Sequence, residues 1–358
     1  MRIHQLAFGL IPGDAVSNST LAMDGQLQAW GFETAVYAQH VAPQLQARVL
    51  PDTQFIPFLE NNDDLLIFHY SIYSPNIRLF NAFRGRKLLI YHNITPASFF
   101  AGWDNHQAAL CDMGRQALRT MVHCDLAVGD SEFNRQELVE AGFDPAKTSV
   151  LPLFLTLPEP VKNGRAASKT PQDKVVWLTV GRVAPSKAIE DALRIFAIYK
   201  HNINPNAELF IIGSLGVTSY VAALKSLIDD LSLTNSAHLV GLVSDSQLEA
   251  YYQQADLYLT ASQHEGFCVP LLESMVHGVP ILARHSSAIP ETLGEAGVLF
   301  HELGYDAVAE MAHLLISDPV IRQQVIQKQY ERVASFNQEQ ASASLRAVLH
   351  RLGISVGE

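Results

Sequence analysis

Residues 174–214 read KVVWLTVGRVAPSKAIEDALRIFAIYKHNINPNAELFIIGS. An apolar run, VVWLTVGR, leads through a short loop into KAIEDALRIFAIYK, where Ile189, Leu193 and Phe196 share one helical face and Glu190, Asp191 and Arg194 lie largely off it. A second apolar run, AELFIIGS, follows. Strand, helix and strand at this spacing define a parallel unit with the helix covering the sheet.

The same alternation extends in both directions. Upstream lie IHQLAFGL, ETAVYA, DLLIFHY, KLLIYHN and DLAVGDS, and downstream AHLVGLV, DLYLTAS and VPILARH. Between the two sets, LPEPVKNGRAASKTPQDK is rich in Pro, Lys, Ser and Ala and poor in apolar residues, which marks a linker at about 158–173. The fold class is therefore α/β, with two doubly wound, Rossmann-like domains: an N-terminal one over 1–160 and a C-terminal one over 171–335. Ligands of such a pair are expected in a cleft between the domains, outside the carboxyl ends of the strands. The amphipathic stretch FNQEQASASLRAVLHRL, within 336–358, is expected to pack back onto the first domain.

Composition narrows the functions. The 358 residues are 48% hydrophobic and 17% charged, ordinary for a globular chain, and the formal charge of -11 argues against bulk nucleic-acid binding. Cys111, Cys124 and Cys268 are scattered singly, suggesting neither a disulfide framework nor a metal site, and fitting a reducing cytoplasm. No apolar run approaches a spanning length, and MRIHQLAFGL lacks the features of a signal peptide. The basic cluster Arg84, Arg86 and Lys87, with Arg78 nearby, is either a solvated loop or a point of weak contact with the inner membrane face.

Chemistry concentrates in the second half. In TASQHEGFCVPLLESMVHGVPIL, Glu265 follows a buried strand and Pro270 suits the first turn of a helix, which puts Glu273 in that first turn. Backbone N–H groups around Phe267 to Leu271 suit phosphate, and ionised Glu265 and Glu273 can accept from sugar hydroxyls. Two glutamates alone are equally a capped helix with Glu265 solvated and Glu273 favouring the positive helix end. Arg182 and Lys187, leaving the strand at Gly181, are two cations that can converge on a diphosphate.

Gly181, Arg182 and Lys187, the IIGS strand end at Gly213, the passage HLVGLVSDSQLEAYYQQADLYLTAS and the HEGFCVPLLESMVHGVPIL block together resemble the donor-binding half of family 4 retaining glycosyltransferases of GT-B fold, over about 174–300. The resemblance implies that Glu273 holds the ribose hydroxyls and Glu265 the transferred sugar. It gives amides of Gly266, Phe267, Cys268 and Val269 to the sugar and phosphates, Arg182 and Lys187 to the diphosphate, and backbone around Val240 and Gly241 to the base. In the first half, KLLIYHNITP resembles the strand ending in a histidine that faces the sugar, which singles out His92, with Asn93 beside it and His69 as a second candidate. GLIPGDAVSN stands where the family has a glycine-rich loop but offers only Gly13, followed by Asp14, where a glycine pair is common. Asp130 and Ser131 sit at another strand-to-helix edge and are read as helix caps. The aromatic segment ASFFAGW is either a sugar platform or a buried loop anchor.

The expected activity is transfer of a hexose from a nucleotide diphosphate sugar, GDP-mannose or a UDP-hexose, to a hydroxyl of a glycan or lipid-linked saccharide, with retention and by a front-face path. His92, Glu265, Arg182 and Lys187 form the expected catalytic set; no metal and no cofactor is expected, the sugar nucleotide being a substrate. Two other readings use the same residues: a nucleotide-sugar epimerase and a non-catalytic sugar-nucleotide or glycan-binding module.

Overall fold

The computed structural model describes residues 1–160, 170, 172–302 and 304–357. Most of the expected linker, 161–169 and 171, lies outside the described residues. Two compact units emerge from the chain's contacts. The first comprises Met1–Ser98, His106–Thr156 and Phe336–Glu358, and the second Phe99–Asn105 and Leu157–Ser335.

The first unit is built on a parallel sheet of β1 (Arg2–Leu10), β2 (Glu33–Val41), β3 (Val49–Pro51), β4 (Leu65–Tyr70), β5 (Arg86–Tyr91), β6 (Leu126–Gly129) and β7 (Thr148–Val150). Its order is β3-β2-β1-β4-β5-β6-β7. Every residue of β4 is buried, as a central parallel strand covered on both faces requires, so its sequence LLIFHY reads as a continuous run rather than an alternation. One face packs on the helix Gln338–Arg351, whose Leu345, Val348 and Leu349 join Ile3, Met23, Leu27, Leu88 and Val128 in one core.

The second unit carries β8 (Val175–Val180), β9 (Ala207–Ile212), β10 (Ala237–Gly241), β11 (Leu257–Thr260), β12 (Ile281–Arg284) and β13 (Val298–Phe300). The order here is β10-β9-β8-β11-β12-β13, again parallel. The helix Ile189–Asn202 buries Ile189, Leu193 and Phe196, the face read from its spacing. β3, β7 and β13 were not read from the sequence; each has three residues, too few to show a period, and each is an edge or near-edge strand.

In both sheets the chain order reverses beside the first strand, between β1 and β4 and between β8 and β11. Crossovers leave on opposite sides there, and a crevice opens outside the carboxyl ends of the two strands. Gly181 and Arg182 follow β8, and the segment 261–268 follows β11, so the predicted donor residues fall at this switch point.

Candidate functional site

The exit from β8 is set by two glycines. Gly181 has φ +143° and open space where a Cβ would stand, so its need for glycine is conformational. Gly213, at φ +145°, faces a different constraint: a Cβ there would overlap the carbonyl oxygen of Gly181. The Gly181 amide donates to Ile212 O at 2.9 Å, that of Val183 to Ser214 O at 2.9 Å, and that of Gly213 to Gly241 O at 3.0 Å. Gly213 thus has a packing reason for being glycine: it lets the β8 exit lie close against the end of β9.

Arg182 leaves this corner exposed, its guanidinium 5.9 Å from the centre of the Phe100 ring, within the same unit. The segment 99–105 is anchored: Phe100 is fully buried, the Trp103 ring meets Tyr220 edge-on at 5.3 Å, and Trp103 O accepts from Ser219 Oγ at 2.7 Å. Of the two readings of ASFFAGW, these contacts describe a loop anchor.

Lys187 and Glu265 meet directly, Nζ to Oε1 at 2.6 Å. Their loops are joined by backbone as well, since Gln263 N donates to Ser186 O at 2.9 Å and the Ser262 hydroxyl to the same carbonyl at 3.3 Å. Ser287 Oγ accepts from the Glu265 amide at 2.7 Å. Ala188, Cys268 and Ser287, three residues of these loops, hold left-handed backbone at φ 45°, 71° and 45° without being glycine. Such conformations cost of order 1 kcal/mol each and persist where surrounding bonds over-determine them, commonly at ligand-binding loops.

Cys268 caps the helix Val269–Val276 from this left-handed position, with Pro270 in its first turn. Burial first, and then Glu265, holds its thiol well above the ordinary cysteine range, so the side chain is a small neutral group. Glu273 lies one residue further into the helix than the sequence predicts: Val269 opens the helix, which puts Glu273 fifth, beyond a first turn that has no acidic residue. An effect of the positive helix end therefore does not explain Glu273, because that field is confined to the first turn. Its carboxyl is instead half-buried and accepts the Tyr252 hydroxyl at 2.7 Å. Burial raises the Glu273 proton affinity, and the Tyr252 hydrogen bond opposes that rise. Tyr252 in turn stacks on His277, centroids 5.2 Å apart and rings 6° from parallel. Lys187, Glu265 and Glu273 all lie near enough to Cys268 for their charges to act on it, which groups these four residues of the expected set; Arg182 stands apart, against Phe100. Val240 and Gly241 end β10, with Gly241 at φ +85°.

Tyr252 and Ser287 escaped the sequence reading. Two adjacent tyrosines in EAYYQQAD give no sign of which one turns inward, and Ser287 acts through a backbone conformation that no spacing encodes.

In the first unit, Asp14 caps the helix Ala15–Ala29: its Oδ2 accepts from the Ser17 amide at 2.9 Å and from the Ser17 hydroxyl at 2.8 Å. Gly13 is at φ +79° with open space around it. Asn93, at φ 70°, donates through Nδ2 to Asn134 Oδ1 and Glu137 Oε2. His92 follows β5 and is buried, with Nδ1 2.9 Å from Asp130 Oδ2 and Nε2 2.9 Å from His69 Nδ1. Ser131 caps the helix Glu132–Glu140 as expected, but Asp130 does not act as a cap; its carboxylate is turned to His92.

Residues 161–332 match the family described as glycosyl transferases group 1. Among relatives, the chain is 26% identical over 193 residues to the O-antigen chain mannosyltransferase B of Escherichia coli, 52% of this chain and 50% of that protein. It is 28% identical over 244 residues to the D-inositol 3-phosphate glycosyltransferase of Mycobacterium bovis, 65% of this chain and 49% of the relative. The matched region thus spans about half the length of each of these two relatives. The crystal structure of Anabaena HepE in complex with UDP and glucose shares the fold, with a TM-score of 0.75 at 17% identity, over 98% of this chain and 99% of that one. The residues that match the glycosyl transferases group 1 family make up most of the second unit, and the chain has the GT-B fold that HepE shares. Among the described residues no helix is long and apolar enough to cross a membrane.

Proposed function

We propose that the protein is a retaining hexosyltransferase that takes its sugar from a nucleotide diphosphate donor, GDP-mannose or a UDP-hexose, and passes it to a hydroxyl of a glycan or lipid-linked saccharide. The observation that carries the proposal is the cluster of Lys187, Glu265, Cys268 and Glu273 at the β8/β11 switch point. HepE is described with UDP and glucose, and the Escherichia coli relative is a mannosyltransferase, so both donor classes have support among similar proteins.

In this reading Glu273 accepts the ribose hydroxyls, and the Tyr252 hydroxyl, by donating to its carboxylate, favours the ionised form against burial. Lys187 has three N–H donors; one holds Glu265, which leaves two for the diphosphate. Arg182 adds a planar fork for the same group. Charge that accumulates on the leaving diphosphate is then met by fixed cations and backbone amides, with no metal ion needed in the step. Glu265 orients the sugar rather than attacks it, and the leaving phosphate helps to deprotonate the acceptor hydroxyl. His92, expected from the sequence to face the sugar, has both ring nitrogens bonded inside the first unit, to His69 and Asp130, and takes no part in this reading. Loss of one charge-stabilising donor costs about 3 kcal/mol in the transition state, roughly a hundredfold in rate.

Thermal unfolding of the protein with a panel of nucleotide sugars will identify the donor, because a ligand of the folded state raises apparent stability with the logarithm of its concentration. Arg182→Ala and Glu265→Ala should then each lower turnover of that donor at least tenfold in a folded protein. Normal turnover by both would rule out this site, and a changed sugar on the recovered nucleotide, without acceptor, would show an epimerase instead.

A further inference from the structure

We propose that Gln5, His69, His92 and Asp130 form one buried hydrogen-bonded chain that holds a proton beyond those of two neutral imidazoles and a carboxylate, and that His69 is the positioning residue that makes Nε2 of His92 a donor. The chain runs through the first unit alone. Gln5 Oε1 is 2.9 Å from His69 Nε2, His69 Nδ1 is 2.9 Å from His92 Nε2, and His92 Nδ1 is 2.9 Å from Asp130 Oδ2. Gln5, His69, His92 and Asp130 are all buried, and the two rings are parallel to within 4°.

The proton count follows from the far end. Gln5 Nε2 donates to Asp24 Oδ1 at 3.4 Å, and Asp24 Oδ2 is taken by Gln28 Nε2 at 2.8 Å. An ionised carboxylate only accepts, so turning the Gln5 amide over would set oxygen against oxygen. The amide oxygen therefore faces His69, and His69 Nε2 must carry hydrogen. A neutral His69 then accepts at Nδ1, which requires N–H at His92 Nε2. The remaining contact, His92 Nδ1 to Asp130 Oδ2, then contains a proton whether the ring or the carboxyl is named as its owner. Placing the extra proton on His69 gives the same count, but burial and the neighbouring His92 hold that ring well below the ordinary imidazole range. Burial raises Asp130 in the opposite direction, toward the protonated form, and its Oδ1 is buried with no hydrogen-bond partner. A shared proton leaves the His92–Asp130 pair neutral, which removes the cost of a bare buried carboxylate.

The other ionisable groups around the pair are accounted for. Asp24, on the helix Ala15–Ala29, is reached through Gln5; Tyr70, ending β4, donates to Gly114 O at 2.8 Å. Beyond Asn93 stands the Glu137–Arg115 ion pair at 2.8 Å, with the Tyr91 hydroxyl donating to Glu137 at 2.9 Å.

In the unfolded chain the last proton of such a pair leaves as from a solvated imidazole, at about pH 6.5. The folded pair keeps it to higher pH, so its stabilisation is complete below that value and is lost as pH rises above it, by about tenfold in the unfolding constant per pH unit until the folded pair releases its proton. Asp130→Asn tests this in the full chain, because an amide N–H supplies permanently the hydrogen that the carboxyl must borrow. Urea unfolding from pH 6 to 9 should show wild-type stability falling relative to Asp130→Asn, with the variant at least as stable at pH 9. A variant less stable at every pH by a constant amount would overturn the proposal. Ring ¹⁵N spectra of the wild type provide the second arm: Nε2 should be protonated on both His69 and His92, and a His92 ring protonated only at Nδ1 would refute the chain. In His69→Phe, His92 should switch to the Nδ1–H form and the pH dependence should vanish; an unchanged His92 ring would mean that His69 only fills space. None of these measurements uses a sugar donor, so the proposal fails or stands apart from the functional reading.

Discussion

Lys187 and Glu265 lie 78 residues apart in sequence and 2.6 Å apart in space, and each is tethered by its own loop: Lys187 beside the left-handed Ala188, Glu265 through its amide to Ser287. In the proposed function the ammonium meets a phosphate and the carboxylate a sugar hydroxyl.

Because the two side chains touch, their contributions will not add. Lys187→Ala and Glu265→Ala are each expected to reduce donor turnover about a hundredfold, and the double variant substantially less than ten-thousandfold. Initial rates of sugar release from the identified donor for the four proteins of the cycle provide the test. Multiplicative losses would mean that the ion pair plays no part in the reaction.

Tyr252→Phe removes the hydroxyl that opposes the burial-driven rise of the Glu273 proton affinity. Ribose hydroxyls need the ionised carboxylate as acceptor, so donor affinity should fall as pH is lowered through the Glu273 titration, which lies above the ordinary glutamate range. In Tyr252→Phe that fall should begin at higher pH, and affinity at pH 7 should drop about tenfold, the worth of one hydrogen bond to a charged group. Calorimetric titration of nucleoside diphosphate between pH 5 and 8 reads both effects.

Two glycine substitutions should behave differently. Gly213→Ala sets a methyl group onto the Gly181 carbonyl at a backbone angle that disfavours any side chain, and about 3 kcal/mol or more of stability should be lost along with the placement of Arg182. Gly13→Ala meets only open space at φ +79°, and about 1 kcal/mol is expected. Urea unfolding midpoints of the two variants compare the costs.

Leu345→Ala should destabilise the first unit by about 2–5 kcal/mol, the range for truncating a fully buried leucine. Hydrogen exchange should show the loss at β1, β4 and β5, whose Ile3, Leu65 and Leu88 share its core, and not at β8 or β11.

Sequence made the architecture readable wherever a strand was long enough to show its character. VVWLTV and LLIFHY are unbroken apolar runs because both faces of a parallel sheet are covered, and the amphipathic stripe of Ile189, Leu193 and Phe196 turns inward as its spacing requires. β3 and β13 left no such trace, since three residues contain hardly more than one alternation. At the candidate site, Lys187, Glu265 and Glu273, which the structure brings together around Cys268, could be singled out by residue type. What stayed hidden depends on direction. Nothing in YHNITP shows that His92 turns both nitrogens into the protein, and nothing in GDSEFN shows that Ser131 caps a helix while Asp130 faces the other way. The turn of Glu273 was misplaced because Pro270 suits either of the first two helical positions and in this fold takes the second.

The core around Leu345 also imposes an order of events on biosynthesis. Ile3, Met23 and Leu27 leave the ribosome early, but the leucines of Gln338–Arg351 that cover them follow only after all of β8 to β13 has been made. Throughout that interval an apolar face of the first sheet waits uncovered while the second unit already has every strand it needs. A nascent chain halted near residue 335 would therefore present a finished second unit and a first unit still in need of a chaperone.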